Sequence, residues 1–290
     1  MKVALIGNIH QAEKSKYLDE VIKSLRKAEV EILAESQFLT FIDGELGLDV
    51  NDITPFDEND FCADFCLSIG GDGTFLKAAA MVENKNIPIL GINTGHLGFL
   101  TEISLDNISE GLNLFYQGRF RIEERTLIAV YTEDNTMFSS NPYALNEVAI
   151  LKHDNSSLIH VKAQIDGIVL NNYVADGLIV TTPTGSTGYS LSVGGPILAP
   201  TSSTLCISPV ASHSLNTRPV VITDNVTIQL DIESRTQNFL LAIDGRSQSL
   251  PSGTPIYLKK APHTIGVVRL EHQNFYDTLR NKMGWGSSTF

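Results

Sequence analysis

The strongest constraint on the fold is a junction. The apolar run Phe65-Cys66-Leu67-Ser68-Ile69 passes without a break into Gly70-Gly71-Asp72-Gly73-Thr74, and a helical pattern resumes over residues 75–82. A buried strand that turns sharply through glycines into a helix is half of a βαβ unit. The residues around it repeat the theme. Residues 3–7, 30–34 and 87–92 are short apolar runs that predict strands. Between the first two, Tyr17, Val21, Ile22 and Leu25 recur at helical spacing within residues 14–28, and a weaker helical segment follows at residues 37–45. Strands alternating with helices imply a parallel sheet with right-handed crossovers. The first hundred residues therefore predict a Rossmann-like α/β unit, although no G-x-G-x-x-G fingerprint is present.

The texture changes after about Gln117. From Phe120 onward, β-branched and aromatic residues cluster in short runs: 126–131, 161–165, 220–223, 226–232 and 239–243. Asp166-Gly167 and Asp244-Gly245 each follow such a run, and Asp-Gly is a strong hairpin signal. This half reads as all-β to about Leu270. Phe275, Leu279 and Met283 then return to helical spacing and end at Gly284-Trp285-Gly286. The expected organisation is an α/β nucleotide-binding domain over residues 1–118, an all-β domain over 119–270, and a C-terminal segment, 271–290, that returns to the first domain.

Charge narrows the function. Against 33 acidic residues stand 21 basic ones, a net charge of -12. A main partner with a nucleic-acid backbone or an anionic lipid surface would call for a basic face instead. No apolar run approaches the roughly 18 residues of a membrane helix, and the first residues carry no signal-peptide pattern. The three cysteines, Cys62, Cys66 and Cys206, fit reduced thiols better than a disulfide framework or a zinc site. A cytoplasmic protein with no membrane and no nucleic-acid partner is expected.

Three segments carry chemistry. In the first, Gly70, Gly71 and Gly73 allow close backbone approach where a helix begins near Thr74, so main-chain N–H groups can cradle phosphate. Asp72 would repel phosphate and must serve another purpose, such as accepting a proton from a hydroxyl or holding Mg²⁺. Lys77, one turn on, could offset phosphate charge. A plain strand-to-helix turn with Asp as a cap is the alternative. The second segment runs from Asp176-Gly177 through Thr181-Thr182-Pro183-Thr184-Gly185-Ser186-Thr187-Gly188-Tyr189-Ser190-Leu191-Ser192. It offers many hydroxyl and N–H donors without positive charge, which suits a polar ligand, although a Gly/Ser-rich loop is the bland reading. Third, Asn146-Glu147 interrupts an apolar run. Asn can read an amide or a base edge, and Glu can accept from both hydroxyls of a ribose; a strand-edge turn is the alternative.

Together these residues resemble the NAD kinase family. Its marks are present in family order: Gly70-Gly71-Asp72-Gly73-Thr74; Asn93-Thr-Gly-His-Leu-Gly-Phe-Leu100; Asn146-Glu147; the Asp176-to-Tyr189 stretch; Asn216-Thr217-Arg218-Pro219; and Asp244-Gly245. The glycine turn alone would be weak, since phosphofructokinases and lipid kinases carry similar ones, but the set is specific. Gly188 departs from the family, which usually has Ala there, and only a slight loosening of the pocket wall is expected.

The resemblance implies transfer of the γ-phosphoryl of ATP to the 2′-hydroxyl of the adenosine ribose of NAD⁺, with Asp72 as proton acceptor. Gly70, Gly71, Gly73, Thr74 and Lys77 would contact the nucleotides. Asn146, Glu147, Asp176 and Thr184 would hold NAD with Thr187, Gly188, Tyr189, Ser190, Leu191 and Ser192, and with Arg246 as a further contact. It also implies a divalent cation, Mg²⁺ or Mn²⁺, delivered with ATP, and a homodimer or homotetramer; polyphosphate is an alternative donor. A Walker G-K-[ST] motif is absent, so backbone amides and metal must carry the phosphates. His153, His160 and His213 are scattered and form no H-E-x-x-H pair, and Gly185-Ser186-Thr187-Gly188 is not a nucleophile elbow, so hydrolase chemistry is set aside. Two rivals share the turn. A lipid or sphingoid kinase needs an apolar groove, and a non-catalytic dinucleotide sensor needs Asp72 lost or blocked.

Overall fold

In its computed structural model the chain divides into two units, Met1–Glu124 with Ile265–Phe290, and Arg125–Thr264. The residues described are 1–9, 15–57, 60–95, 98–132, 141–154, 157–271 and 273–284; Trp285-Gly286, expected to end the last helix, lie outside them.

The first unit is built on a parallel sheet. Its strands are β1 (Lys2–Gly7), β2 (Glu31–Glu35), β3 (Ile53–Phe56), β4 (Phe65–Gly70) and β5 (Ile89–Asn93), with α1 (Ser15–Lys27), α2 (Ser36–Gly44) and α3 (Asp72–Val82) between them. The sheet order is β3-β2-β1-β4-β5, every pair parallel. The chain builds one side as β1, β2 and β3, then returns to continue on the other side of β1. Ligands of open α/β sheets bind outside the strand C-termini where the order reverses, here between β1 and β4. Register brings those ends level, since Gly7 pairs with Ile69 and Gly70 with Asn93. The glycine turn therefore stands at the switch point.

Side-chain periodicity explains the layers. Val3, Leu5, Leu67 and Leu90 are buried, and α1 lays Leu18, Val21, Ile22 and Leu25 into the same core. Tyr17, expected on that face, is only partly buried. α3 starts at Asp72, with Gly71 as its cap residue, two residues earlier than the pattern suggests. β3 escapes sequence reading because it has four residues and buries only its two ends, Ile53 and Phe56. Its Pro55 is tolerated because β3 is an edge strand. After β5, α4 (Ile108–Tyr116) buries Ile108, Leu112 and Phe115, and β6 (Phe120–Tyr131) leads into the second unit.

The second unit is a two-sheet β structure. Its strands are β7 (Tyr143–Ala144), β8 (Glu147–Lys152), β9 (Ile159–Ile165), β10 (Ile168–Ala175), β11 (Gly177–Thr181), β12 (Thr204–Val210), β13 (Val220–Thr223), β14 (Ile228–Glu233), β15 (Asn238–Ile243), β16 (Arg246–Pro251) and the start of β17 (Ile256–Leu270). One sheet is antiparallel in the order β13-β12-β11-β8-β15-β16, and β10, β9, β14 and β17 run side by side in the other. Val148, Ile150, Leu178 and Phe239 from the first share a core with Val161, Ala163, Leu230 and Leu258 from the second. Both Asp-Gly pairs form the expected hairpins. Asp166 and Gly167 have φ of 49° and 81°, and Asp244 and Gly245 have 47° and 80°, the two positive values a type I′ turn requires.

β17 belongs to both units. Residues 256–258 pair with β14, whereas Val267 pairs in parallel with β5 of the first unit. The returning segment closes with α6 (Phe275–Met283), capped by Asn274, whose Oδ1 accepts from the Asp277 N–H. Of its expected apolar stripe only Leu279 is buried.

The end of β1 yields a stability prediction. A Cβ on Gly7 would lie 2.0 Å from ring carbons of the buried Phe38. Gly7→Ala is expected to destabilise the protein by about 1–3 kcal/mol through overpacking, with Phe38→Leu in the same chain recovering part of the loss. Urea denaturation checks this; an unchanged midpoint for Gly7→Ala would show the ring has room to move.

Candidate active site

The candidate residues form two groups, one in each unit. In the first unit, β4 delivers Gly70 to the switch point and α3 begins two residues later. Gly70 is obligatory because a Cβ there would sit 2.2 Å from Thr74 Oγ1. Gly71 and Gly73 are different, since a Cβ on either meets no protein atom within 4 Å. Their backbone is open to an approaching ligand at a helix N-terminus, where N–H groups and the dipole favour anions.

Asp72 does not face this opening as a free acid. Its Oδ2 accepts from the Phe99 N–H at 2.9 Å, and its Oδ1 accepts from the Leu100 N–H at 3.2 Å. The loop after β5 comes so close that a Cβ on Gly98 would lie 1.8 Å from Oδ1. The Gly98-Phe99-Leu100 part of the second motif is therefore a cradle for the carboxylate; His96 and Leu97 lie outside the described residues. Lys77 is engaged too. Its Nζ lies 2.6 Å from the carboxylate of Glu35, at the end of β2. Glu35 falls one residue beyond the expected strand, so sequence reading passed over it.

In the second unit, Asn146 and Glu147 sit at the corner between β7 and β8. The corner is tied by Asp244 from the β15–β16 turn, whose carboxylate accepts from the N–H groups of Leu145 (2.7 Å), Asn146 (2.8 Å) and Glu147 (3.0 Å). The sequence presents Asp244 as a turn residue and a family mark, with no contact for its side chain, which here ties the corner together. The 181–188 segment closes on the same corner. Thr181 Oγ1 and the Thr182 N–H donate to the Asn146 carbonyl, and Thr182 Oγ1 donates to that of Leu145. Gly185 must be glycine, because a Cβ would lie 2.2 Å from the Asn146 carbonyl oxygen. A Cβ on Gly188 would lie 3.2 Å from Glu147 Oε2, so the alanine usual there would press on this carboxylate by a few tenths of an ångström.

Three buried oxygens here, Asn146 Oδ1, Glu147 Oε2 and Thr184 Oγ1, have no hydrogen-bond partner in the protein. Buried polar atoms are normally paired, so a cluster of acceptors without partners marks where a ligand with hydroxyl or amine donors belongs. Tyr189 is exposed, at the head of the single turn α5 (Tyr189–Ser192), Leu191 is partly buried and Ser192 is exposed. Ser186 and Ser190 point inward, the first to the Pro183 carbonyl and the Leu198 N–H, the second to Ser208.

The two other expected contacts, Asp176 and Arg246, are both engaged within the protein. Asp176 stands at the far end of β11 from Thr181, roughly 16 Å away at the usual strand rise, paired with Lys152 at 2.6 Å. The Arg246 guanidinium donates to the carbonyls of Ile243, Asn141 and Tyr143, which makes it a brace for the corner. Among the described residues no group of three or more His, Cys, Asp or Glu could hold a metal ion.

Electrostatics of the corner yield a second prediction. Burial, helped by the nearby Asp244 charge, pushes the Glu147 carboxyl up to about 7, and burial raises Asp244 despite its three N–H partners. A carboxyl whose folded pKa lies above its unfolded value disfavours folding once it must ionise, so its stability contribution is intact below about 4.5 and lost as pH rises through about 7. The ligand-free protein should lose on the order of 2–3 kcal/mol over this window. Glu147→Gln should flatten that decline and be the more stable protein at pH 8. Chemical denaturation across pH 5–8 checks it; parallel curves would place the ionisation elsewhere.

Comparison with known proteins agrees along the whole chain. Residues 3–120 match the ATP-NAD kinase N-terminal domain and residues 145–269 the ATP-NAD kinase C-terminal domain. An NAD kinase from Bacteroides fragilis (strain YCH46) is 50% identical over 289 residues, covering 100% of this chain and 99% of that one. One from Porphyromonas gingivalis (strain ATCC 33277) is 42% identical over 287 residues, covering 99% of each. Among solved structures, yeast NADH kinase complexed with NADH superposes with a TM-score of 0.88 at 25% identity, covering 100% of this chain and 89% of that chain. An NAD kinase from Archaeoglobus fulgidus in complex with ATP shares the fold, with a TM-score of 0.75 at 24% identity and 98% of each chain covered. Matched in both domains and half identical to full-length relatives, this chain belongs to the NAD kinase family.

Proposed function

We propose that this chain is an ATP-dependent NAD⁺ kinase, transferring the γ-phosphoryl group of ATP to the 2′-hydroxyl of the adenosine ribose to give NADP⁺ and ADP. The observation that carries the reading is the set of unpartnered oxygens on Asn146, Glu147 and Thr184 in a member of this family. Two acceptors and a hydroxyl suit the hydroxyl groups of a ribose and the amino group of an adenine. Side chains of the 187–192 segment, with Thr187, Tyr189 and Ser192 at least partly exposed, would complete the dinucleotide contact.

Asp72 is the proposed proton acceptor for the attacking hydroxyl. Its cradle holds the carboxylate in one orientation, so no reorganisation is needed at the moment of transfer. Phosphates would meet the start of α3, where Gly71 and Gly73 let them reach the backbone. Lys77 brings less charge than the sequence suggests because Glu35 offsets it. The lipid-kinase and sensor readings are not supported, since the relatives are named NAD kinases, the corner is polar, and Asp72 is in place.

A divalent cation fits a site of this kind. Both Asp72 oxygens accept main-chain N–H bonds and, among the described residues, no carboxylates gather into a metal cage, so Mg²⁺ or Mn²⁺ would be held chiefly by the nucleotide phosphates. Such an ion supplies charge neutralisation for the moving phosphoryl group.

Incubation with ATP, Mg²⁺ and NAD⁺, following NADP⁺ through an NADP-specific dehydrogenase, tests the activity. The panel should extend to polyphosphate as donor and NADH as acceptor; no NADP(H) from any pair would sink the proposal. Asp72→Asn is expected to bind NAD⁺ normally and to lose about 10²–10⁴-fold in kcat; retention of a third of the rate, a loss below about 1 kcal/mol, would remove Asp72 from proton transfer. Excess EDTA should abolish turnover and added Mg²⁺ or Mn²⁺ restore it, while calorimetry finds no tight stoichiometric ion in the nucleotide-free protein. Full turnover in EDTA would show that charge is neutralised in some other way.

A further inference from the structure

We infer that Arg269 and Glu102 are positioning residues for phosphoryl transfer, acting on Asp72 through the Phe99–Leu100 peptide group. The inference rests on the reading of Asp72 as proton acceptor. That peptide is gripped at both ends. Its N–H, from Leu100, donates to Asp72 Oδ1 at 3.2 Å, and its carbonyl, from Phe99, accepts from Arg269 Nη2 at 3.1 Å. A peptide group is planar and its N–H and C=O are antiparallel, so fixing the carbonyl direction fixes the N–H direction. Bonds at the two ends also polarise each other and strengthen together.

Arg269 is itself held. Its side chain is 9% exposed and that of Glu102 1%. Glu102 Oε2 accepts from Arg269 Nη1 at 2.7 Å, while Oε1 accepts from the Leu270 N–H at 2.8 Å, so both carboxylate oxygens are satisfied. Glu123 flanks the guanidinium, with Oε2 at 3.7 Å from Nε, and Lys282 Nζ lies 4.6 Å from the centroid of the Phe99 ring. A buried ion pair adds little net stability, because desolvation offsets its attraction, but it fixes geometry well. Here the geometry it fixes is the far side of the peptide that orients the proton acceptor. Arg is required because only its planar fork can serve the carboxylate and the carbonyl together.

The test is a double-mutant cycle on the full chain. Arg269→Lys keeps a cation beside Glu102 but cannot fork to the Phe99 carbonyl. It is expected to lower kcat about tenfold, equivalent to about 1.4 kcal/mol, with KM for NAD⁺ and ATP changed less than about twofold. In the Asp72→Asn background, assayed by long incubation, the same substitution should cost less than about twofold, because the group it positions is gone. Glu102→Gln provides a second reading, with a kcat loss of about three- to fivefold that also vanishes beside Asp72→Asn. Equal fold losses in both backgrounds, or a shift in KM with kcat intact, would overturn the positioning role and leave a structural ion pair. Should Asp72→Asn alone keep the wild-type rate, the reading of Asp72 fails first, and this inference fails with it.

Discussion

A carboxylate gripped by main-chain N–H groups organises each of the two groups of candidate residues, one in each unit. Asp72 takes two, from Phe99 and Leu100, and Asp244 takes three, from residues 145–147. Bonds of this kind strengthen when the carboxyl is ionised, and they come from groups the chain carries at nearly every residue. They also fix loops that have no regular partner of their own. The loop after β5 and the corner before β8 would otherwise present a row of unpaired donors, which buried backbone rarely tolerates. Both acids therefore act as structural counterparts of the backbone.

This choice suits an acidic chain that handles polyphosphates. With a net charge of -12, the protein cannot rely on a field of lysines, and the lysine nearest the glycine turn is tied to Glu35. Open glycine backbone and a helix start supply positive potential instead, and the cation proposed to arrive with the nucleotide would add to it. Glu147 shows the complementary strategy. It is held buried beside another acid with an oxygen unpartnered, a configuration costly in the free protein that the proposed hydroxyl-bearing ligand would relieve. On that reading, stability is lowered where binding would need a ready acceptor.

Much of this was legible in the residues. The apolar runs and the glycine turn predict the parallel sheet, and the Asp-Gly pairs predict hairpins that the positive φ angles of Asp166 and Asp244 realise. Asn146-Glu147 and the Thr184-to-Gly188 segment stand out because polar residues interrupt apolar strands, and the fold does bring them together. What sequence could not display is contact across long separations. Asp244 reads as turn chemistry until its side chain is seen on residues a hundred positions away, and Gly98 reads as a loop glycine until Asp72 lies against it. Short strands fail for another reason: β3 buries only two side chains, too few to set a period. Placement also separates residues that composition groups together, since Asp176 and Ser190 belong to one hydroxyl-rich stretch yet engage Lys152 and Ser208.

The route of β17 through both units has a consequence for how the protein is made. The first unit lacks Arg269, α6 and the neighbour of β5 until residues 265–284 have left the ribosome, whereas the second unit, residues 125–264, is one continuous stretch. During synthesis the β unit can close while the α/β unit still shows an open flank at β5 and holds Glu102 without its buried counterion. The domain that begins the chain is the last to be completed, so a polypeptide cut short near its end loses the unit made first.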